Sequence, residues 1–189
     1  MLRPALSDNG GMQHADHFAL LRPGVTGTPG AWADFGSGAG AFTLALADLL
    51  GPGGVLYAID RDTRALRALA DRMAASFPGV TLHTLAADFT RPLPAPLPPL
   101  AGLVMANALH FIPDKHKAAV VRQTKAHLRP GGRWLLVEYN VDRGNPWVPH
   151  PLSFGAWQTL AQQAGFAHTR LLATRPSSFL REFYAAESI

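Results

Sequence analysis

The chain has 189 residues, of which 48% are hydrophobic and 16% are charged. This balance indicates one folded domain and excludes a disordered chain. Its net charge is +4, but the basic residues are scattered and form no dense run typical of a nucleic-acid-binding surface. Cysteine is absent, which excludes disulfides, thiolate metal sites and a cysteine nucleophile. No uninterrupted apolar segment indicates a signal peptide or a transmembrane helix, so we expect a cytoplasmic protein without membrane contact.

Turn-forming residues dominate the first 30 residues and leave room for one short helix. The segment Gln13–Leu21 favours a helix, and a loop is predicted at Arg22–Gly24, where proline and glycine meet. His14 and His17 would then share one helix face. A metal site needs at least three ligands, and no third ligand is near. We therefore predict no metal, and a flank or lid over residues 1–30.

The sequence is organised around three glycines at alternate positions, Gly36, Gly38 and Gly40, which follow an apolar run that ends at Asp34. Glycine adopts positive φ and lets a ligand lie against bare backbone. A second apolar run stops at Asp60. A carboxylate in that position accepts hydrogen bonds from a ribose diol. The stretch therefore predicts a ligand that contains a nucleoside.

From residue 31 onward, apolar runs alternate with amphipathic segments, as in a parallel sheet with crossover helices. The predicted strands are residues 31–35, 55–59, 80–85, 103–107 and 133–138, and the predicted helices are residues 41–50, 62 or 63 to 77, and 113–128. Five prolines within residues 91–100 exclude a helix there and predict an extended crossover. The pattern predicts an α/β doubly wound fold with its ligand at the carboxyl ends of the first strands.

The segment after residue 138 changes character. A proline-rich loop spans residues 140–152, and we expect Trp147 within it to be a loop or core residue and not a substrate contact. Ser153 then caps a helix. Two strands joined by a short turn at Arg175–Pro176 predict an antiparallel hairpin. These two strands are residues 166–174 and 178–185.

Five segments, taken in chain order, resemble the class I S-adenosylmethionine-dependent methyltransferases. The first, Asp34-Phe-Gly-Ser-Gly-Ala-Gly40, is similar to the family's motif I, an acid and one further residue before Gly-x-Gly-x-Gly. The others are Asp60 on the second strand, Ala87–Phe89 after the third, Asn107–Phe111 after the fourth and Leu128–Leu136 leading into the fifth. The resemblance covers residues 31–185. It implies a mostly parallel seven-stranded sheet with the strand order 3-2-1-4-5-7-6 and a C-terminal antiparallel hairpin.

The same resemblance implies one domain over residues 1–189, with a nucleoside-binding core at residues 31–138. Residues 139–189 would then supply a substrate-side loop, a helix and the hairpin. S-adenosylmethionine is the implied cofactor, and methyl transfer is the implied activity. The residues carried over for donor binding are Asp34, Gly36, Ser37, Gly38, Gly40, Asp60, Arg61, Asp88, Phe89, Asn107 and Ala108.

Three of these acids also have a plainer structural interpretation. Asp34 suits the cationic amino-acid end of the donor, but it can also cap the turn that follows. Asp60 suits the ribose, and it can also cap the helix that begins near residue 62. Asp88 suits the adenine, and it can also stabilise a local turn. Both interpretations of each acid stay open at this stage.

A nicotinamide dinucleotide site is the rival interpretation, because residues 36–41 also fit Gly-x-Gly-x-x-Ala and Asp60 follows about 20 residues on. A dinucleotide places its pyrophosphate at the helix N-terminus, where Asp34 would repel it. The chain also lacks a Tyr-x-x-x-Lys pair, so an NAD(P)-dependent oxidoreductase is less favoured. A protein that binds S-adenosylmethionine or S-adenosylhomocysteine without turnover would carry the same glycine turn.

Methyl transfer from a sulfonium is an in-line displacement that mainly needs alignment and the exclusion of water. If the acceptor must lose a proton, the candidate catalytic bases are His110, Glu138 and Tyr139, with His14 or His17 available from the flank. No Asn/Asp-Pro-Pro-Tyr/Phe segment follows the fourth strand, which disfavours the planar amino groups of adenine and glutamine as acceptors. We therefore predict a small-molecule acceptor, with RNA or protein as less favoured alternatives.

Overall fold

A computed structural model describes residues 7–8 and 12–189 of the chain. A short antiparallel pair, β1 (Ser7–Asp8) and β2 (Met12–Gln13), comes before the main sheet. The strands of the main sheet are β3 (Trp32–Phe35), β4 (Val55–Asp60), β5 (Thr81–Ala86), β6 (Leu100–Ala106), β7 (Leu128–Tyr139), β8 (Thr169–Pro176) and β9 (Glu182–Ser188). The helices are α1 (His14–Val25), α2 (Ala41–Leu50), α3 (Thr63–Ser76), α4 (Asp114–Lys125) and α5 (Phe154–Gln163), with one 3₁₀ turn at Leu109–Phe111.

The main sheet has the strand order β5-β4-β3-β6-β7-β9-β8. Counted from β3, this order is 3-2-1-4-5-7-6. The first five strands run parallel, and β9 pairs antiparallel with both β7 and β8. The predicted α/β fold with a C-terminal antiparallel hairpin is therefore confirmed. Because Asp34 of β3 pairs with Ala58 and with Val104, the carboxyl ends of the central strands meet at one edge of the sheet.

Successive residues of the strands enter two separate cores, one on each face of the sheet. Trp32 packs in the core that α1, α2 and α3 cover, whereas its neighbour Ala33 packs in the core that α4 and α5 cover. Asp62 caps α3 by accepting hydrogen bonds from the backbone N–H groups of Arg64 and Ala65. Because helices cover both faces of the sheet, the ends of the strands are the expected place for a ligand. Across the described ranges, no helix is long and apolar enough to cross a membrane.

The first helix is longer than predicted, and the prediction of a loop at Arg22–Gly24 is wrong. α1 continues past Pro23 to Val25, since burial of its apolar face outweighs the missing N–H of proline in the last turn. Gly24 lies against the sheet, where an added Cβ would come within 2.5 Å of a Leu135 methyl group. Arg175 of β8 also pairs with Asp16 of α1 at 2.9 Å, which ties the helix to the hairpin.

Further boundaries differ from prediction, and β6 begins at Leu100, the last residue of the predicted extended crossover. α4 ends at Lys125, and Leu128 begins β7 instead of extending the helix. The next four residues form an irregularity, because the register with β6 shifts between Leu128 and Arg133. In the hairpin, β8 continues through Pro176, so the turn lies at residues 177–181 and not at Arg175–Pro176. Proline is tolerated at the end of this edge strand because it needs no inward N–H.

Candidate functional site

A cavity of about 780 Å³ opens at the carboxyl ends of β3, β4, β5 and β6. It is lined by backbone and side chains from the glycine turn, the ends of the strands and the first helix. All eleven residues that the sequence predicts for donor binding line it: Asp34, Gly36, Ser37, Gly38, Gly40, Asp60, Arg61, Asp88, Phe89, Asn107 and Ala108. The fold therefore brings together a set that spans 75 positions of sequence.

The glycines of this turn have positive φ, a backbone conformation that only glycine adopts at little cost. Gly36 has φ +79°, and an added Cβ there would lie 2.7 Å from the Cβ of Ala108. Gly38 has φ +50°, and an added Cβ there would meet no atom within 4 Å. Gly36 is thus required by packing, whereas Gly38 faces open space in the cavity. This open space beside bare backbone is where a ligand can approach.

Asp34 is a buried acid at the floor of the cavity. Its side chain accepts a 2.6 Å hydrogen bond from the Thr43 hydroxyl, in the first turn of α2. Burial raises the pKa of Asp34 to about 7, the negative charge of Asp60 adds to this rise, and hydrogen bonds from Thr43 oppose it. Asp34 therefore does stabilise the start of α2, in line with its plainer interpretation. An incoming cation would still favour the charged carboxylate.

Asp60 holds the glycine turn in place. One carboxylate oxygen accepts the N–H of Gly38 at 2.8 Å, and the other accepts the N–H of Asp62 at 2.8 Å. A carboxylate offers about four lone-pair sites, so acceptor capacity remains on Asp60 after these two bonds. Asp62 is the cap of α3. The alternative in which Asp60 caps that helix is therefore wrong.

Asp88 and Phe89 follow β5 and line the cavity. One oxygen of Asp88 accepts hydrogen bonds from the hydroxyl and the N–H of Thr90, at 2.7 and 2.9 Å. These bonds lower the pKa of Asp88, with the side-chain bond as the largest cause. The turn-stabilising interpretation of Asp88 therefore holds, and its second oxygen lies 3.8 Å from the guanidinium Nε of Arg91. The Phe89 ring packs edge-on against Phe35, with 6.4 Å between the ring centroids.

Two polar side chains that line the cavity lack partners. The buried Ser37 hydroxyl and the buried Oδ1 of Asn107 find no hydrogen-bond partner in the part of the chain that the structure describes. Asn107 also adopts φ +51°, a conformation that costs energy outside glycine. Buried polar groups are normally satisfied. These two unpartnered groups therefore fit a polar ligand in the cavity, as the predicted nucleoside requires.

The three catalytic candidates lie together but are not among the residues that line the cavity. The ring Nδ1 of His110 lies 2.8 Å from one oxygen of Glu138, and the backbone N–H of His110 donates to the other at 3.1 Å. The Tyr139 ring lies 6.1 Å from the His110 ring between centroids, and burial raises the Tyr139 pKa, with the charge of Glu138 adding to it. None of the three lines the cavity, although the neighbouring Phe111 does.

The two histidines of α1 make different contacts. His14 lies 3.0 Å from Asp48 of α2. His17 is buried, lines the cavity and packs its ring edge-on against Phe42, with 4.6 Å between centroids. Within residues 12–189, no group of three or more His, Asp or Glu side chains could hold a metal ion. α1 thus forms part of the cavity wall, and His17 is its polar contribution.

Sequence reasoning missed Lys117, a buried lysine in α4. Its ammonium group donates to the backbone carbonyl of His150 and to Asp114. The N–H of His150 in turn donates to the carbonyl of His110 at 3.0 Å. Lys117 therefore fastens the loop after β7 over the 3₁₀ turn that carries His110. Only its position three residues before Val120, on the buried face of α4, signals this in the sequence.

Comparison with known proteins supports the assignment of the fold. A family model described as a methyltransferase domain matches residues 33–132. Human N-acetylserotonin methyltransferase, solved with SAM, is 19% identical with a TM-score of 0.67, and the match covers 91% of this chain and 50% of that one. A SAM-dependent methyltransferase from Aquifex aeolicus is 18% identical with a TM-score of 0.62, covering 84% of this chain and 80% of that one.

A third structure, an O-methyltransferase family 2 protein from Planctomyces limnophilus in complex with apigenin, is 19% identical with a TM-score of 0.64. This match covers 93% of the present chain and 57% of that one. The chain thus spans about half the length of the human and planctomycete proteins. No curated protein matches it by sequence. The family model covers more than half of the 189 residues, including the glycine turn; the resemblance is confirmed, and the chain belongs to the methyltransferase domain family.

Proposed function

We propose that the protein transfers the methyl group of S-adenosylmethionine to a small-molecule acceptor. The observation that carries this proposal is the cavity itself, where a glycine turn lies between the buried Asp34 and the strand-end Asp60. These two carboxylates match the two ends of such a donor, a cationic amino acid and an unphosphorylated ribose. A dinucleotide would instead bring its pyrophosphate towards Asp34, and the family match gives that alternative no support.

At the amino-acid end, Asp34 would take the ammonium group and His17 the carboxylate. Asp34 is bonded to Thr43, and the adjacent Phe42 packs on the His17 ring, so the acid and the imidazole flank the same helical turn. The N-cap residue of α2 is Gly40, which has no side chain to bond the first N–H groups of the helix. The positive end of this helix therefore also suits a carboxylate.

At the nucleoside end, Asp60 would accept the ribose hydroxyls while it continues to hold Gly38. Asp88 and Phe89 would contact the adenine, and the unpartnered groups of Ser37 and Asn107 would gain hydrogen bonds. Backbone at Gly36, Gly38, Gly40 and Ala108, with the Arg61 side chain, would complete the contacts that line the cavity.

When bound, the donor supplies a methyl group on a positively charged sulfur, which leaves as a neutral thioether. The chain's own residues then need to align the acceptor and exclude water. If the accepting atom carries a proton, His110 would be the candidate base, because Glu138 fixes its ring through Nδ1. Tyr139, with its raised pKa, would stay protonated and orient the pair.

A second candidate, a protein that binds the donor without turnover, has one observation in its favour. His110, Glu138 and Tyr139 do not line the cavity, so its wall carries none of the candidate bases from the strand ends. Both candidates require donor binding and differ only in catalysis.

Thermal-shift measurements with S-adenosylmethionine, S-adenosylhomocysteine, NAD and NADP test donor binding. A ligand at 100 times its Kd adds about 2.7 kcal/mol to the free energy of unfolding. We expect stabilisation by the two adenosyl ligands, and stabilisation by NAD alone would refute the proposal. Transfer of tritium from labelled donor into a metabolite extract, with RNA and protein as parallel acceptors, then tests turnover. Binding without transfer to any of the three would support the non-catalytic candidate.

A further inference from the structure

The crossover between β5 and β6 is rich in proline, and the function proposed above makes no use of it. Five of residues 91–100 are proline, and every residue from 91 to 99 is either a proline or the residue before one. Proline fixes φ at about −65°, and the residue before a proline is confined to extended backbone. The segment therefore has little conformational freedom to lose when another molecule binds to it.

The structure holds this segment at both ends. The side-chain amide of Gln123 in α4 donates to the carbonyl of Arg91, and the N–H of Leu100 donates to the carbonyl of His127 at 2.9 Å. Between these ends, Leu97 packs against the core that α4 and α5 cover, and Leu100 is buried in that core. The segment is thus fixed against the body of the fold.

Exposure along the second half of the segment repeats every three residues. The chain bends at residues 94 and 95, and residues 96–99 follow without a further bend. Extended proline-rich backbone has three residues per turn. Pro96 and Pro99 are exposed, whereas Leu97 and Leu100, one position further on, are half-buried and buried. We call Pro96 and Pro99 the proline ridge, because their spacing and exposure place both rings on the solvent side of the segment.

The backbone of this segment also has unused hydrogen-bonding capacity. In the part of the chain that the structure describes, residues 92–99 make no hydrogen bond to other backbone groups. Their carbonyl oxygens are therefore available to donors on another molecule. The Arg91 side chain is 81% exposed, and its Nε lies 3.8 Å from Asp88, an ion pair too open to contribute much. A positive charge at the start of the segment favours an acidic group on the occupant.

We propose that the proline ridge is an interaction surface that docks into an aromatic-lined groove on a separate protein domain. Grooves of this kind, as in SH3 and WW domains, take extended proline-rich segments whose conformation is already formed. Tryptophan and tyrosine side chains supply both the rings that pack on proline and the N–H or O–H donors for its carbonyls. Neither methyl transfer nor donor binding enters this inference.

Surface plasmon resonance with a panel of purified SH3, WW and EVH1 domains, applied to the full chain, tests this surface. We expect at least one domain to bind with a micromolar Kd and to be displaced by an unrelated proline-rich peptide that fills its groove. Absence of binding by every domain, or binding that the peptide does not displace, would overturn the inference. Binding to a free peptide of residues 91–100 but not to the folded protein would also overturn it, because the fold would then hide the ridge.

Substitutions locate the contact. Pro96→Ala combined with Pro99→Ala should weaken binding about tenfold or more, with the circular dichroism spectrum and the affinity for S-adenosylhomocysteine unchanged. Pro146→Ala is the matched control, since it removes an exposed proline from the loop after β7; equal losses in the two variants would overturn the inference. Arg91→Gln should weaken binding about threefold at low salt and less at high salt.

Two further outcomes are distinguishable. A dimer in sedimentation that the double proline variant dissociates would assign the ridge to a second copy of the chain and contradict the proposed partner. Failure of the wild-type protein to bind S-adenosylhomocysteine would refute the proposed function and leave the binding of the proline ridge unaffected.

Discussion

Asp34→Asn makes the strongest test, because the structure predicts opposite effects on stability and on donor binding. The pKa of Asp34 is raised from 3.8 to about 7, chiefly by burial. Between pH 3.8 and about 7 the folded protein binds more protons than the unfolded chain, so the free energy of unfolding falls as pH rises. The contribution that protonated Asp34 makes to the free energy of unfolding is fully present below pH 3.8 and is lost as the pH rises through about 7. At about 1.4 kcal/mol per pKa unit, the cost of charging Asp34 reaches about 4 kcal/mol at pH 8.

Asparagine carries no charge, and its Oδ1 can still accept the hydrogen bond that Thr43 donates to Asp34. We therefore expect the variant to be more stable than the wild type, by a margin that grows by about 3 kcal/mol between pH 5 and pH 8. Urea denaturation of both proteins at each pH measures this margin, and other titrating groups cancel in the comparison. Asp88→Asn is the matched control, because the pKa of Asp88 is lowered and its removal gives no such gain.

The same variant should bind S-adenosylmethionine about 30-fold more weakly, since a hydrogen bond to a charged group contributes about 2 kcal/mol. Calorimetric titration at pH 8 measures this affinity. A stabilised variant that binds the donor as tightly as the wild type would show that Asp34 only supports α2. A margin that does not change with pH would refute the electrostatic reasoning itself.

Four further predictions concern the rest of the donor site. Asp60→Asn keeps one acceptor oxygen, which cannot bond both Gly38 and a ribose hydroxyl. Donor affinity should therefore fall at least tenfold in titration, with the circular dichroism spectrum unchanged. Retained affinity would remove the ribose assignment. Ser37→Ala deletes an unpartnered hydroxyl, so the free energy of unfolding should change by less than about 1 kcal/mol while donor affinity falls; a larger loss of stability in urea denaturation would mean that the hydroxyl has a structural partner. Gly36→Ala should destabilise the fold by roughly 2 kcal/mol or more through steric overlap. Gly38→Ala should cost roughly 1 kcal/mol of backbone strain and chiefly block the donor. Equal losses of stability in the two variants would contradict the difference in the surroundings of these glycines. For His17→Ala, the preference for S-adenosylmethionine over its decarboxylated analogue should disappear in competition titrations, and a preference that persists would exclude His17 as the carboxylate contact.

The lining of the cavity by the predicted residues could be foreseen from sequence because its signals are local. The glycine turn occupies a few consecutive residues, and each further contact directly follows a strand whose apolar run is visible. In a parallel sheet, the ends of neighbouring strands must meet at one edge. That rule alone brings Asp34, Asp60, Asp88 and Asn107 together, as the structure has them. No long-range side-chain packing had to be inferred.

Other features depended on tertiary packing, which the pattern of one sequence does not contain. α1 passes through Pro23 because Leu20, Leu21 and Val25 are buried against the body of the fold. Lys117 is 3% exposed, a burial that its residue type argues against, and it acts through a backbone carbonyl 33 residues away. Local propensity loses to such long-range contacts whenever the buried area is large.

The exposed aromatic residues were hidden for a different reason. Phe111, Trp147 and Phe179 come from three separate segments, and a buried and an exposed aromatic residue look alike in sequence. Pairing of Tyr139 with Phe183 in the β7–β9 ladder brings the hairpin turn beside the loop after β7, where the Trp147 ring meets the Phe179 ring. Loops on a rigid scaffold vary with little effect on the fold. Substitutions in this loop and in the hairpin turn should therefore leave donor affinity unchanged, because the proposed donor contacts lie on other segments, at residues 34–40, 60–61, 88–89 and 107–108.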